Sequence, residues 1–352
     1  MTCDAVGGVW QYATDLSAAL AGEGVEVLLA VLGPTSEAAD ASRVGKVIRT
    51  GLPLDWLAAG PEDVLQAGRV IAALAAEHRV DLVHLNSPAL AAAGPFPVPV
   101  VAVAHGCVGT WCAALGEVPG PALAWHEDLV RRGLHAADAV IAPSASYAAI
   151  VRRHYALVDT PQVVHNGRVP ADLPTSASAD HVFTAGRLWD RAKNTALLDA
   201  VAALLAVPVR AAGPVTAPHG ETVRPANLTL LGTLDAPALA AEYAQTPIFA
   251  STASFEPFGL AVLEAAQAGC PLVLSGIDTF RELWTGAALI VSKNDPAAWA
   301  AAIDRLRSDP ALRAHLSAAA RSRAARYTVD AMAAGTLAAY RRLLAAPERR
   351  AA

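Results

Sequence analysis

A chain of 352 residues is too long for one core of ordinary size and suits two domains. Its 54% hydrophobic and 17% charged residues describe a folded globular protein and exclude disorder, which needs the opposite balance. A net charge of −5 argues against a dedicated nucleic-acid binder, whose binding surface is ordinarily basic.

In chain order, only Met1-Thr2-Cys3 precede the turn Val6-Gly7-Gly8-Val9, so the first strand is expected to be a stub. Either a short strand suffices there or the start of the chain has been placed too far downstream. Apolar periodicity then predicts a helix over Val9–Gly22, a strand over Val25–Val31 and a helix over Pro61–Glu77. Strands over Asp81–Leu85 and Val98–Ala104 follow, then helix Pro121–Ala136, strand Ala139–Ala142 and helix Ser144–His154. Unbroken apolar strands such as residues 99–104 suggest a sheet covered on both faces. Residues near 166–180 combine turn formers, prolines and small polar groups, as a linker does. The linker is placed at 169–180, between a first domain at 1–168 and a second at 181–326. In the second half, strands are expected at His181–Ala185, Val207–Ala212, Leu228–Leu231, Pro247–Ala250, Pro271–Leu274 and Ala288–Val291. Ala-rich helices run from about Asp295 to the end. The alternation is that of an α/β protein with two doubly wound parallel sheets.

Two segments carry chemistry. Ser254–Ala265 follows a strand and opens a helix, with Pro257 in the expected first turn and Gly259 admitting a ligand close to the backbone. Free amides at such a terminus bind phosphate without a cation. Glu256 lies just before the helix and Glu264 about two turns inside it, in an apolar run where an unpartnered carboxylate is costly. Carboxylates on either side of an anion site suit a ligand with hydroxyls on both sides of a diphosphate. The alternative is an acidic first turn with one solvated glutamate. In the second segment, Ala185–Asn194, Arg187 offers a planar fork and Lys193 a compact charge, both suited to a diphosphate. A solvated basic loop is the plainer account. A strand end in an α/β crevice favours the functional one.

These two segments, in this order, resemble the retaining glycosyltransferases of family 4, which have the GT-B fold. The Glu-x7-Glu signature is Glu256 to Glu264, and the Gly-Arg-Leu…Lys-Asn signature is Gly186-Arg187-Leu188 to Lys193-Asn194. The likeness extends through Val6-Gly7-Gly8-Val9, Asp81-Leu82-Val83-His84, Ala104-His105-Gly106, Ala142-Pro143-Ser144, His165-Asn166-Gly167 and Leu231-Gly232. The resemblance implies two Rossmann-like domains facing across a cleft, the first for the acceptor and the second for a nucleotide-sugar donor. It also implies a helix in 327–352 crossing back to the first domain. Arg187 and Lys193 would hold the donor diphosphate, with the Phe258, Gly259 and Leu260 amides near it. Glu264 would bind the ribose, Glu256 the sugar, and Gly232 with Thr233 and Leu234 would lie near the base. Gly7 and Gly8 would form the first-domain loop toward the donor, and His105 would lie beside the transferred sugar. Without the resemblance, a lone histidine after an apolar strand is more often a packed or capping residue.

The expected reaction transfers a hexose-type sugar to a hydroxyl of a glycan, lipid or small molecule, with retention and without a metal or cofactor. No Asp-x-Asp motif is present, and fixed cations can meet the charge developing on the leaving phosphate. The competing expectations are a GT-B epimerase or phosphorylase, and a catalytically silent nucleotide-sugar-binding subunit. Asn86-Ser87 would touch acceptor hydroxyls or simply form a turn. His78, His126, His135, His154, His219 and His315 are expected to be solvated. Trp111 and Trp125 suit sugar stacking or core packing. Cys3, Cys107, Cys112 and Cys270 lack metal-ligand spacing and read as reduced thiols. The N-terminus lacks the pattern of a signal peptide, and no apolar run reaches about 18 residues free of charge or proline. A cytoplasmic address is expected. Peripheral contact at the inner membrane face would use the pairs Arg131-Arg132 and Arg152-Arg153, although such pairs are more often solvated.

Overall fold

The computed structural model describes residues 1–4, 7–33, 45–174, 176, 178–292 and 294–345. Val6 of the first glycine turn and the last seven residues of the C-terminal stretch lie outside them. The chain divides into two compact units, Met1–Gly167 with Thr328–Ala352, and Arg168–Tyr327.

In the first unit, β1 (Thr2–Asp4), β2 (Leu28–Leu32) and β3 (Lys46–Arg49) pair in parallel in the order β1-β2-β3. A second parallel set runs β4 (Val83–Leu85), β5 (Val100–Val103), β6 (Ala139–Ala142) and β7 (Gln162–Val163). Asn86, just past β4, joins the two sets: its amide donates to Thr2 Oγ1 at 2.9 Å and its Nδ2 to the Thr2 carbonyl at 2.7 Å. The first strand is indeed three residues long. The helices are α1 (Gly8–Gly22), α2 (Pro61–Glu77), α3 (Val108–Ala114), α4 (Ala124–Ala136) and α5 (Ala145–His154). On one face of the sheet, Tyr12, Leu16 and Leu20 of α1 share a core with Met332, Leu337 and Tyr340. Those three belong to the chain's last helix, Val329–Leu344, which therefore packs on the first unit.

The second unit holds β8 (Val182–Ala185), α6 (Thr195–Ala202), β9 (Val209–Ala212), β10 (Leu228–Gly232) and α7 (Ala236–Ala244). It continues with β11 (Ile248–Ser251), α8 (Leu260–Ala268), β12 (Leu272–Ser275), α9 (Asp278–Trp284), β13 (Leu289–Val291), α10 (Pro296–Ser308) and α11 (Pro310–Ala324). Val329–Leu344 is then α12. The six strands are all parallel in the order β10-β9-β8-β11-β12-β13. Leu263, Phe280 and Trp284 fill one face, and Leu198, Trp299 and Ile303 the other. With both faces covered, the inner strands β8, β11 and β12 are buried without alternation, whereas edge strand β10 exposes Thr229 and Leu230. The side chains of Asp295, Asp309 and Thr328 cap α10, α11 and α12 by accepting backbone amides. Each such cap is worth about 1 kcal/mol.

Strand order reverses between β8 and β11, because β9 lies on one side of β8 and β11 on the other. The carboxyl ends of strands at such a switch point form the crevice where α/β sheets bind ligands. In the first unit β1 and β4, the end strands of the two sets, lie next to each other.

Candidate active site

The turns leaving β8 and β11 meet at the switch point of the second unit. Thr252 Oγ1, just past β11, donates to the carbonyls of Lys193 (3.0 Å) and Asn194 (3.1 Å), and the Ser254 amide donates to Ala192 O at 2.8 Å. Asp190 is buried and caps the short 3-10 turn Arg191–Lys193 by accepting the Ala192 amide at 3.0 Å. This stapling lays Lys193 across Gly186 and brings its Nζ into an ion pair with Glu256 Oε2. Both side chains are mostly covered. The pair leans on the start of α8: a Cβ at Gly259 would lie 3.3 Å from Glu256 Cγ and 3.1 Å from Phe280. Gly259 sits at φ +93, the left-handed region that glycine tolerates without strain. Phe258 is buried and anchors the turn. The first amides of α8, from Leu260 on, have no intrahelical acceptor and present partial positive charge beside Lys193 and Glu256.

Two positions differ from the sequence reading. The helix begins at Leu260, so Pro257 lies before it, in the approach to its cap rather than in its first turn. Glu264 then stands one turn inside and not two. Its Oε1 accepts Arg168 Nε at 2.8 Å, and its Oε2 faces Tyr243 Oη at 3.5 Å. The partner an apolar run demands is thus an arginine 96 positions earlier. Together with Tyr243, Gln267 and Leu239 they line a cavity of about 80 Å³. Arg187 is half exposed, bonded to Asp190 Oδ2 at 2.9 Å and 5.4 Å from the Trp189 ring centre, paired with neither glutamate. Gly232 ends β10 at φ +68 with open space where a Cβ would be.

Sequence reasoning missed Gly213, Asp190, Thr252 and Arg168. Gly213, at the end of β9, bonds Gly232 O through its amide at 2.7 Å, and a Cβ there would sit 1.7 Å from Gly186 O. The ends of β8, β9 and β10 thus form a glycine floor. Gly213-Pro214 after an apolar strand was its readable signal.

In the first unit, Gly7 precedes α1 at φ +81 and Gly8 opens it. His105 follows β5, partly exposed, with its ring edge-on to Tyr12 at 4.5 Å and its Nε2 2.8 Å from Asn86 Oδ1. Burial pushes its pKa down to about 3, so the imidazole is neutral at ordinary pH. Asn86 is spent on internal bonds, and Ser87 Oγ donates to Asp55 Oδ2 at 2.6 Å. His126, expected to be solvated, is buried, with Nε2 3.0 Å from the same Asp55 oxygen. Its helix is polar in pattern, but the ring points inward to a carboxylate. Burial raises the Asp55 pKa, and bonds from His126, Ser87 and the Trp56 amide outweigh it, leaving the group below its usual range. Asp4 is pushed up to about 7 by burial and by the charge on Asp55.

His154 pairs with Glu127 at 2.7 Å and His135 with Tyr155 O at 2.9 Å, so neither is simply solvated. Arg131 and Arg132 both reach Asp128, which offsets much of that basic pair. Trp125 Nε1 donates to Ala122 O at 2.7 Å. The four cysteines are free thiols. Among the described residues, no group of three or more His, Cys, Asp or Glu is placed to hold a metal, and no helix is long and apolar enough to cross a membrane.

Comparison with known proteins gives this geometry a family. Residues 6–171 match the family described as Glycosyltransferase Family 4, and residues 223–323 match Glycosyl transferases group 1. D-inositol 3-phosphate glycosyltransferase of Frankia alni is 38% identical over 91 residues, 25% of this chain and 22% of the relative. Its counterpart in Salinispora arenicola is 34% identical over 116 residues, 32% of this chain and 25% of the relative. The chain thus matches about a quarter of the length of these curated relatives. Sucrose-phosphate synthase from Thermosynechococcus elongatus superposes with a TM-score of 0.78 over 98% of this chain and 96% of its own, at 22% identity. Anabaena HepE in complex with UDP-glucose superposes with a TM-score of 0.72, covering 96% of this chain and 100% of its own, at 18% identity. The two family matches and the shared fold make this chain a member of glycosyltransferase family 4, with two Rossmann-like units of the GT-B type.

Proposed function

We propose that the protein transfers a hexose-type sugar from a nucleoside-diphosphate sugar to an acceptor hydroxyl, with retention of anomeric configuration and without a metal. The observation that carries this reading is the Lys193–Glu256 pair set against the start of α8 at Gly259. Loss of a nucleoside diphosphate builds negative charge on phosphate and positive character on the sugar. Lys193, Arg187 and the Phe258, Gly259 and Leu260 amides meet the first. Glu256 holds the sugar hydroxyls and the cationic face of the sugar. Lys193 and Glu256 satisfy each other. The donor takes over both partners, the diphosphate replacing Glu256 at Lys193 and the sugar replacing Lys193 at Glu256.

Glu264 binds the ribose hydroxyls. Gly232, Thr233 and Leu234 serve the base, and the Gly7-Gly8 turn and His105 serve the sugar. The acceptor attacks on the face the diphosphate leaves, and the departing phosphate takes its proton. HepE, whose fold this chain shares, is complexed with UDP-glucose, which supports a nucleotide sugar as donor. A cytoplasmic setting, with contact at the inner membrane face for a lipid-linked acceptor, accompanies this reading.

The test is release of nucleoside diphosphate from a panel of sugar nucleotides beginning with UDP-glucose, with product anomers assigned by proton NMR. The proposal expects transfer with retention from at least one donor, and a fall of about a hundredfold or more for Glu256→Gln. Inverted product, or unchanged turnover of Glu256→Gln, would sink the assigned roles.

A further inference from the structure

Behind His105 runs a buried chain of polar groups that the donor chemistry leaves unused. Asn86 Nδ2 lies 2.7 Å from the Thr2 carbonyl oxygen, which can only accept, so the amide orientation of Asn86 is determined. Its Oδ1 must therefore face the two imidazoles, 2.8 Å from His105 Nε2 and 3.1 Å from His84 Nε2. An amide oxygen accepts only, so both Nε2 atoms carry hydrogen. Burial holds both rings near pKa 3, hence neutral, and each Nδ1 is a bare acceptor. At His84 that acceptor takes the hydroxyl of Tyr340, on α12, at 2.6 Å. At His105, nothing among the described residues hydrogen-bonds Nδ1, and the ring is partly open. His84, Asn86 and Tyr340 are all buried. In such a setting each member must be satisfied, and the network ends open at one atom.

We infer that Asn86 fixes the tautomer of His105 so that its Nδ1 accepts a hydrogen bond from a sugar hydroxyl, with His84 and Tyr340 as positioning residues behind Asn86. The inference rests on the glycosyltransferase reading for its ligand but not for its tautomer. His105 in this state receives a hydroxyl hydrogen and cannot donate to a sugar oxygen through Nδ1. The titratable groups facing the two rings are Tyr12 of α1, Tyr340 of α12 and the Met1 ammonium, whose charge acts on His84.

The experiment is long-range proton–nitrogen NMR of the nitrogen-15-labelled full chain, with turnover measured against pH. Wild type is expected to show protonated Nε2 and bare Nδ1 at His84 and His105, with neither ring titrating between about pH 5 and 8. Asn86→Asp keeps the accepting oxygen and adds a carboxylate charge beside both rings. It should raise their apparent pKa by about one unit or more. Turnover should then fall about tenfold at the acid end of the profile and recover toward the alkaline end, as protonation of Nδ1 removes the acceptor. A wild-type His105 protonated at Nδ1 overturns the inference, as does an Asn86→Asp profile that follows wild type. Absence of any sugar transfer by wild type would instead overturn the functional reading, while the NMR still decides the tautomer.

Discussion

Replacing Gly213 by alanine tests the glycine floor beneath the Lys193 turn. The new Cβ would sit 1.7 Å from Gly186 O, and backbone at φ +133 is foreign to an L side chain. Forcing an extra carbon into a packed site costs about 1–3 kcal/mol, and holding such a dihedral costs about 1–3 kcal/mol more. Gly232→Ala supplies the comparison. It too has a positive φ, +68, but no atom lies within 4 Å of its Cβ, so only the backbone term of about 1 kcal/mol applies. At about 2–4 °C per kcal/mol for a unit of this size, Gly213→Ala should lower Tm by about 4–24 °C and Gly232→Ala by a few degrees. Scanning calorimetry measures both. Relief of the clash must move Gly186 and with it the backbone that carries Lys193, so Gly213→Ala should also lose donor affinity. Equal Tm values for the two variants would refute the close packing of β8 on β9.

Three further outcomes follow from the electrostatics. Lys193→Ala should cost about a hundredfold to a thousandfold in turnover, read in the donor-release assay, since it removes the compact cation at the leaving group. Asp55→Ala strands two buried polar groups, Ser87 and His126, at about 1–3 kcal/mol each, and urea unfolding should show that loss. The pH dependence has two opposed parts. Asp4, raised to about 7, contributes stability below its unfolded pKa that is lost as pH rises through 7. His84 and His105, lowered to about 3, withdraw stability as pH falls from about 6.5 toward 3, because only the unfolded chain takes up those protons. The two windows overlap, so Asp4→Asn should steepen the rise of Tm between about pH 4 and 7 and leave the slope above pH 7 unchanged.

Strand and helix alternation was legible because strands covered on both faces read as unbroken apolar runs. Helix Pro61–Glu77 and strand Ala139–Ala142 fall where periodicity puts them. Strand β3 was missed because it is half exposed and ends in Lys46 and Arg49, which read as loop. Strand β7 has two residues, too few for any period. Helix α3 is short, carries Gly109 and opens on a cysteine, so no usual start signal marks it. At the site, strand-end position and residue type mark Gly186–Lys193 and Glu256–Gly259 locally. The partners that decide their state come from far away. Arg168 meets Glu264 across 96 positions, Lys193 meets Glu256 across 63, and His84 meets Tyr340 across 256. Spacing along a chain carries no information about such pairs. His126 shows the same limit, since a polar helix pattern cannot reveal one histidine turned inward.

The most direct test of the account is a thermal-shift panel of nucleoside diphosphates and their sugars on wild type and Lys193→Ala. A ligand that binds the native state raises its apparent stability in proportion to log affinity once in excess. The account predicts that at least one nucleoside diphosphate and its sugar raise the wild-type Tm, and that Lys193→Ala largely abolishes both shifts. No shift across the panel, or a shift that survives Lys193→Ala intact, would contradict a donor diphosphate held at Lys193 and the start of α8.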